Sequence, residues 1–419
     1  MGVNVFPAAS GGASYSSQPP ASASSVLLDG QLVTASSIST SVTGTGAPWL
    51  LYANGAGTTT ITIAGTPYTV TAGSTVGTSA LTGSKSVTIA TTTTTPAPTT
   101  FSSSTMASSR TWYAVAYGLI SSTNYYVAVS ENGSSYSSYS TDGTTWTDAT
   151  MVGFYYWFGI TFGNGYFIAI AQFDNTISAT NVSAYSTNGT TWTASTMPTT
   201  KNWGGVAYGL ISSTNYYVAI ANGSTVGAYS TNGTSWTSTT FSSSALTTIG
   251  FGNGYFIALG AGATSYSTNG TTWTAGSAAQ NQVWNGIAYG LIGATGYYVA
   301  VGGAASSNAA VNTAMYSTNG TTWFLSTMPS TSKWQSVAYG NGYFVAIQNS
   351  STTAAAYSSN GTTWTASTVP VSTLWGGLTY GAGKFVAVSQ NSTNSAYVNV
   401  PTLINPVAYG IYNGATVRA

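Results

Sequence analysis

The chain has 419 residues, 43% of them hydrophobic, and carries six lysines and arginines against five acids, with no histidine and no cysteine. Six scattered cations make no basic patch to displace counterions from phosphates, so nucleic-acid binding is excluded. Disulfide and thiolate chemistry are excluded as well, and the commonest metal ligand and general base is missing.

From the N-terminus, Met1-Gly2-Val3-Asn4-Val5-Phe6 has neither the basic start nor the apolar run of a secretory signal, and Phe6 stands where a myristoylation signal has Ser or Thr. No stretch reaches the ~18 consecutive apolar residues of a membrane span. Residues 1–25, rich in Ser, Ala, Gly and Pro, predict an extended arm or linker. Residues 26–95 predict a small β-module for attachment, because Thr60-Ile61-Thr62-Ile63, Tyr68-Thr69-Val70-Thr71 and Ser86-Val87-Thr88-Ile89 alternate with period two. A threonine run with Pro96 and Pro98 then makes a stiff hinge.

Residues 96–402 are dominated by a repeat. Tyr139-Ser140-Thr141-Asp142-Gly143-Thr144-Thr145-Trp146 recurs with its last residue at Trp192, Trp236, Trp273, Trp323 and Trp364. A second tryptophan follows eleven residues later, at Trp157, Trp203, Trp284, Trp334 and Trp375, while Leu246 fills that slot one residue early in the weak repeat after Trp236. Two apolar segments, a loop of variable length, an alternating Ala-Tyr-Ser segment and the Asn-Gly turn complete each unit. Asn-Gly and Asp-Gly between β-formers signal hairpins with φ > 0 at both turn positions. Four short strands per unit, with outer aromatics spaced 45, 46, 44, 37, 50 and 41 residues apart, predict a β-propeller.

Trp112 belongs to the second series but has no turn motif before it. Eleven residues upstream lies Phe101, in a segment matching the one that starts at Trp192. The last unit, opened by Trp375, lacks the strand that Phe101 supplies. Closure of the last blade by this N-terminal strand leaves no unpaired sheet edge and makes seven blades in an all-β fold. Residues 403–419 form a tail in which Val407-Ala408-Tyr409-Gly410 echoes an inner strand, suited to packing on the ring or pairing with a neighbouring subunit.

Ser140 to Trp146 resembles the Asp-box repeat of sialidases and related propellers, one residue tighter than the usual form. The resemblance implies a propeller in which the box is a hairpin on the outer edge of a blade, away from any catalytic face. Asp142, Asn188, Asn232, Asn269, Asn319 and Asn360 are therefore expected to be structural turn residues. An active sialidase would need three clustered arginines, and this chain has only Arg110 and Arg418. Glycoside hydrolysis needs two carboxyl groups roughly 5–9.5 Å apart, and Asp174 with Glu131, in loops of neighbouring blades, is the conceivable pair. The residue types predict a protein that is not an enzyme and has no cofactor and no metal.

Two readings of the second tryptophan series are open. Trp112, Trp157, Trp203, Trp284, Trp334 and Trp375 either bury against the neighbouring blade or form a ring of sugar platforms, with Arg110, Lys201 and Lys333 beside three of them. An arm, a small module and an almost uncharged propeller resemble tailed-bacteriophage virion surface proteins. That resemblance implies a fibre, tail or capsid-decoration component at the virion surface, held by other virion proteins through residues 1–95, oligomeric, and displaying the ring to a host surface or glycan. An extracellular bacterial lectin or adhesin, or a lattice or filament subunit, is the alternative.

Overall fold

The computed structural model describes residues 97–304 and 309–400, together with the backbone of eight strands in the N- and C-terminal parts. Most of the expected arm and part of the hinge lie outside the described residues. Among the described residues every regular element is a strand, and no helix is long and apolar enough to cross a membrane. The chain divides into two compact units, one of Met1–Thr95 with Thr402–Ala419 and the other of Pro96–Pro401.

The first unit is a single eight-stranded sheet. Its centre is a pair of 17-residue antiparallel strands, Ile38–Asn54 and Thr75–Thr91. The expected strands around Thr60, Tyr68 and Ser86 all fall within it. The tail strand Val407–Gly410 pairs antiparallel with Leu51 to Asn54 and parallel with Asn4–Val5. The tail thus completes the N-terminal sheet, whereas its likeness to an inner strand suggested the ring or another subunit.

The second unit is an all-β propeller. Five four-stranded sheets and one seven-stranded sheet make seven blades, because the long strand Thr147–Gly163 is shared. Its start pairs with Ser134–Ser140 as the outer strand of blade 1, and its end pairs with Tyr166–Asp174 as the inner strand of blade 2. The inner strands of blades 1 and 3 to 7 begin at Trp112, Trp203, Leu246, Gln282, Trp334 and Trp375. Closure follows the expected path: Ser102–Arg110 pairs antiparallel with Ser392–Asn399 and becomes the outer strand of blade 7. The chain therefore enters and leaves the ring at the same blade.

Each second strand contains an unbroken apolar run, such as Val127-Ala128-Val129 or Phe344-Val345-Ala346-Ile347, that is buried throughout. A strand between two blades meets apolar neighbours on both faces, so alternation would bury polar groups without partners. Each inner strand carries an aromatic-glycine pair toward its end. A Cβ on Gly118, Gly163, Gly209, Gly252, Gly290, Gly340 or Gly381 would lie within 2.4 Å of the ring of Phe162, Tyr208, Phe251, Tyr289, Tyr339, Tyr380 or Tyr117 respectively. Every blade accepts the aromatic of the next into the space left by its glycine, and the seventh accepts that of the first. Buried tyrosines add to this interlock: Tyr126 and Tyr217 donate hydrogen bonds at 2.5 Å to the carbonyls of Gly381 and Gly163 on the preceding blade.

Candidate functional site

The six boxes are hairpin scaffold built on side-chain acceptors. In blade 5, the Ser317 hydroxyl accepts the Gly320 N–H at 2.8 Å, and Asn319 Oδ1 accepts the N–H groups of Thr321 and Thr322 at 2.9 Å each. Asp142 does the same for Thr144 and Thr145 at 2.7 Å. Partial burial opposes its ionisation, yet the Thr145 and Thr144 amides hold its carboxyl well below the usual carboxylate range. Asn188, Asn232, Asn269 and Asn360 repeat the arrangement. Only the glycine of each box has positive φ, 74° at Gly189 for instance, so these are not the turns with two left-handed residues that Asn-Gly suggested. Those turns occur between first and second strands instead, as at Asn164-Gly165 with φ of 45° and 79°.

The second tryptophan series is placed in the core. Trp112, Trp157, Trp203, Trp284, Trp334 and Trp375 are each 0% exposed. Trp334 packs among Val299, Val301 and Met328 of blade 5 and Phe344 of blade 6. Sugar stacking needs an open aromatic face, and these indoles have none, so the platform reading is corrected. Arg110, Lys201 and Lys333 are half-buried beside them. Arg110 donates to the Ser108 and Ser134 hydroxyls at 3.0 and 3.2 Å and lies 4.3 Å from the centre of the Tyr136 ring. Lys201 closes the outer strand of blade 2, opposite Thr180, and the Lys333 carbonyl accepts the Asn349 N–H at 2.7 Å.

Asp174 turns into its own loop, accepting from Thr176 and Ser178, and the Thr176 hydroxyl first among them lowers its pKa. Glu131 is different. It follows the second strand of blade 1, its N–H bound to the Thr111 carbonyl at 3.0 Å, and burial pushes its carboxyl up to about 7. Burial first and the nearby Glu131 charge second raise the Tyr113 hydroxyl far above its ordinary range. Among the described residues, no group of three His, Cys, Asp or Glu side chains could hold a metal.

Tyr113 belongs to a site that the sequence reading missed. A cavity of about 230 Å³ on the ring axis takes three consecutive residues from each of the seven inner strands. In the six blades with a second-series tryptophan, they are the three residues that follow it, a fixed offset that could have been read from the sequence. At the outer level stand Tyr113, Phe158, Asn285 and Gln335, with Gly204 and Gly376 between them. The next level is small, as at Ala114, Gly159 and Ser336, and the third is aliphatic, as at Val115, Ile160 and Leu378. Tyr113 and Phe158 lie with ring centres 3.9 Å apart, tilted by 32°. Gln335 Nε2 donates to the Tyr113 hydroxyl at 3.2 Å, joining blades 6 and 1 across the two glycines of blade 7. Other side chains cap carbonyls on the next blade: Thr247 donates to Trp284 at 2.7 Å, Asn285 to Trp334 at 2.9 Å and Asn349 to Trp375 at 3.0 Å.

The ring is similar to solved structures of low sequence identity. Virginiamycin B lyase from Staphylococcus aureus matches with a TM-score of 0.59 and 9% identity over 71% of this chain and 98% of that one. YCF48 bound to D1 peptide matches with a TM-score of 0.51 and 13% identity over 73% and 96%. BBS1N in complex with ARL6DN gives 0.50 and 10% over 73% and 98%. No protein-family profile matches the sequence, and no curated protein does. Identities this low carry the propeller fold and nothing further.

The lyase neighbours nevertheless correct the expectation that the chain is not an enzyme. Three of the matched structures are virginiamycin B or streptogramin B lyases, so propellers of this fold include enzymes. Missing histidine and cysteine exclude particular mechanisms and not catalysis as such. One of those structures is a catalytically inactive histidine-to-alanine variant. This chain has no histidine at any position, and the lyase chemistry does not transfer to it.

Proposed function

We propose that the chain is a surface component of a tailed-bacteriophage virion, a fibre, tail or capsid-decoration protein whose propeller is displayed to bind a host-surface glycan. The observation that carries this reading is the insertion of the ring into the other unit. The chain passes from Thr95 into the outer strand of blade 7 and leaves by the strand beside it, returning at Thr402 to the sheet that holds Asn4–Val5 and Val407–Gly410. The two chain connections thus separate the ring, which can be displayed, from a second unit that can serve attachment. With eleven charged side chains in 419 residues, solubility rests on hydroxyls and amides and is insensitive to salt.

The test uses particles produced from the genome that encodes the chain. Immunogold labelling against the ring should decorate intact particles. Removing residues 1–95 and 402–419 should abolish incorporation while the ring keeps its near-ultraviolet circular dichroism. Unlabelled particles, or a bare ring that still incorporates, would overturn the reading.

A further inference from the structure

We infer that the mouth of the axial channel is the ligand site and that it takes one neutral, hydroxyl-rich ring, the terminal neutral sugar of a surface glycan. This rests on the glycan-display reading and gives it a location. None of the 21 residues lining the cavity carries a charge. Among these residues an anionic ligand would find no cation and a cationic one no carboxylate, and the nearby Glu131 is itself shifted toward its neutral form by burial.

The polar capacity of the site comes from the fold. Within its sheet an inner strand bonds to the second strand of its own blade, so its other edge faces the axis, where side chains of neighbouring blades take some of its N–H and C=O groups. Glycines at 159, 204, 205, 286, 376 and 377 leave that backbone uncovered. Thr247, Asn285 and Asn349 bind the carbonyls of Trp284, Trp334 and Trp375, and the Ser336 hydroxyl accepts the Leu378 N–H at 3.2 Å. The amide and hydroxyl side chains and strand edges of the lining thus offer both donors and acceptors, which suits hydroxyls because each gives and takes a hydrogen bond.

Tyr113 and Phe158 supply an aromatic wall on one side, and Gln335 fixes the tyrosine. The C–H faces of a sugar ring pack on such a wall while its hydroxyls reach the strand edges. At about 230 Å³ the cavity is smaller than the ~300–1,000 Å³ typical of drug-sized ligands. One ring fits end-on and an extended oligosaccharide does not.

The experiment titrates the purified full chain with free galactose, glucose, mannose, rhamnose, N-acetylglucosamine and a capped tripeptide, read by saturation-transfer NMR. At least one sugar should bind, with its ring protons saturated most strongly. Phe158→Ala and Gln335→Ala should weaken it tenfold or more with melting temperatures within a few degrees of the parent, and Phe324→Ala on the outer surface should change nothing. A second series, Phe158→Tyr and Gln335→Asn, guards against misfolding and should retain part of the affinity. Absence of sugar binding, binding of the peptide alone, or binding indifferent to the channel variants would overturn the inference. If the chain still adheres to host cells in those cases, the display reading survives and only the channel assignment fails; if it adheres to nothing, both fail.

Discussion

Gly209 shows how much of this fold is decided by atoms that are absent. A Cβ there would stand 2.3 Å from the Phe251 ring of the next blade, far inside contact distance, although the backbone conformation suits any residue. Gly209→Ala is expected to destabilise the ring by about 1–3 kcal/mol through overpacking. Phe251→Ala should lose a similar amount alone but add little to Gly209→Ala, because the alanine methyl then occupies freed space. Urea titrations of the four proteins measure this coupling. Glu131 gives a second expectation at this scale. Its carboxyl titrates near 4.3 when unfolded and about 7 when folded. Between these values the folded ring holds a proton that the unfolded chain has lost. Stability should therefore be highest below pH 4 from this group, fall as pH rises to 7, and level off above, a loss on the order of 3 kcal/mol. Glu131→Gln removes the ionisation, so its urea midpoint should lose this component of the pH dependence. A parent and variant with the same slope from pH 5 to 8 would contradict it.

The hairpins carry the argument at the scale of elements. Blades 2, 4 and 6 turn between first and second strands on Asn-Gly, both left-handed, whereas blades 1 and 3 extend the hairpin and turn on Ser121-Ser122 and Ser212-Ser213. Ser122 and Ser213 hold φ of 67° with a Cβ to accommodate. Replacing Ser121-Ser122 by Asn-Gly should raise stability by about 1 kcal/mol, seen as a higher thermal midpoint. In the boxes the requirement is an acceptor. Asn319→Asp should be nearly neutral, since Asp142 fills the role in blade 1, and Asn319→Ala should cost about 1 kcal/mol by freeing two amides on an exposed turn.

These elements also show what was legible in the sequence. Strand number, closure and the box as scaffold followed from the recurrence of Asn-Gly-Thr-Thr-Trp and from Phe101, because each marks a local event at a fixed offset. The kind of turn was misread at the boxes because Asn-Gly satisfies two different geometries, and only the Ser317-type acceptor two residues before the Asn separates them. The aromatic-glycine interlock and the channel were not read, since both join residues some 40 apart on neighbouring blades. The tryptophans drew attention by size, yet size is also what a gap between blades requires. The channel is lined by the inconspicuous residues that follow them.

For the whole molecule, the question is what makes seven similar sheets one cooperative body. Six interfaces follow from chain order, and the seventh, between blades 7 and 1, joins the two ends of the ring through contacts such as Tyr117 on Gly381, to which the returning first strand of the unit adds. Phe101 is 2% exposed, packed between blades 6 and 7 in the cluster with Val369, Leu378, Phe385 and Val398, and its N–H reaches the Thr368 carbonyl of blade 6 at 2.8 Å. Met106, on the same strand, joins the cluster between blades 7 and 1 with Trp112, Tyr126 and Val386. One strand therefore serves two interfaces. Phe101→Ala is expected to cost about 3–5 kcal/mol. A fragment of residues 96–401 should unfold in one transition with the urea midpoint of the ring in the full chain. A fragment of residues 111–401 loses that strand and leaves an open edge on blade 7, so it should unfold earlier, over a broader range, and associate through the edge. Adding the peptide of residues 97–110 should restore the sharp transition and the monomer seen by sedimentation. If the shortened fragment melts as the complete ring does, closure contributes no stability and the cooperativity must come from the sequential interfaces alone.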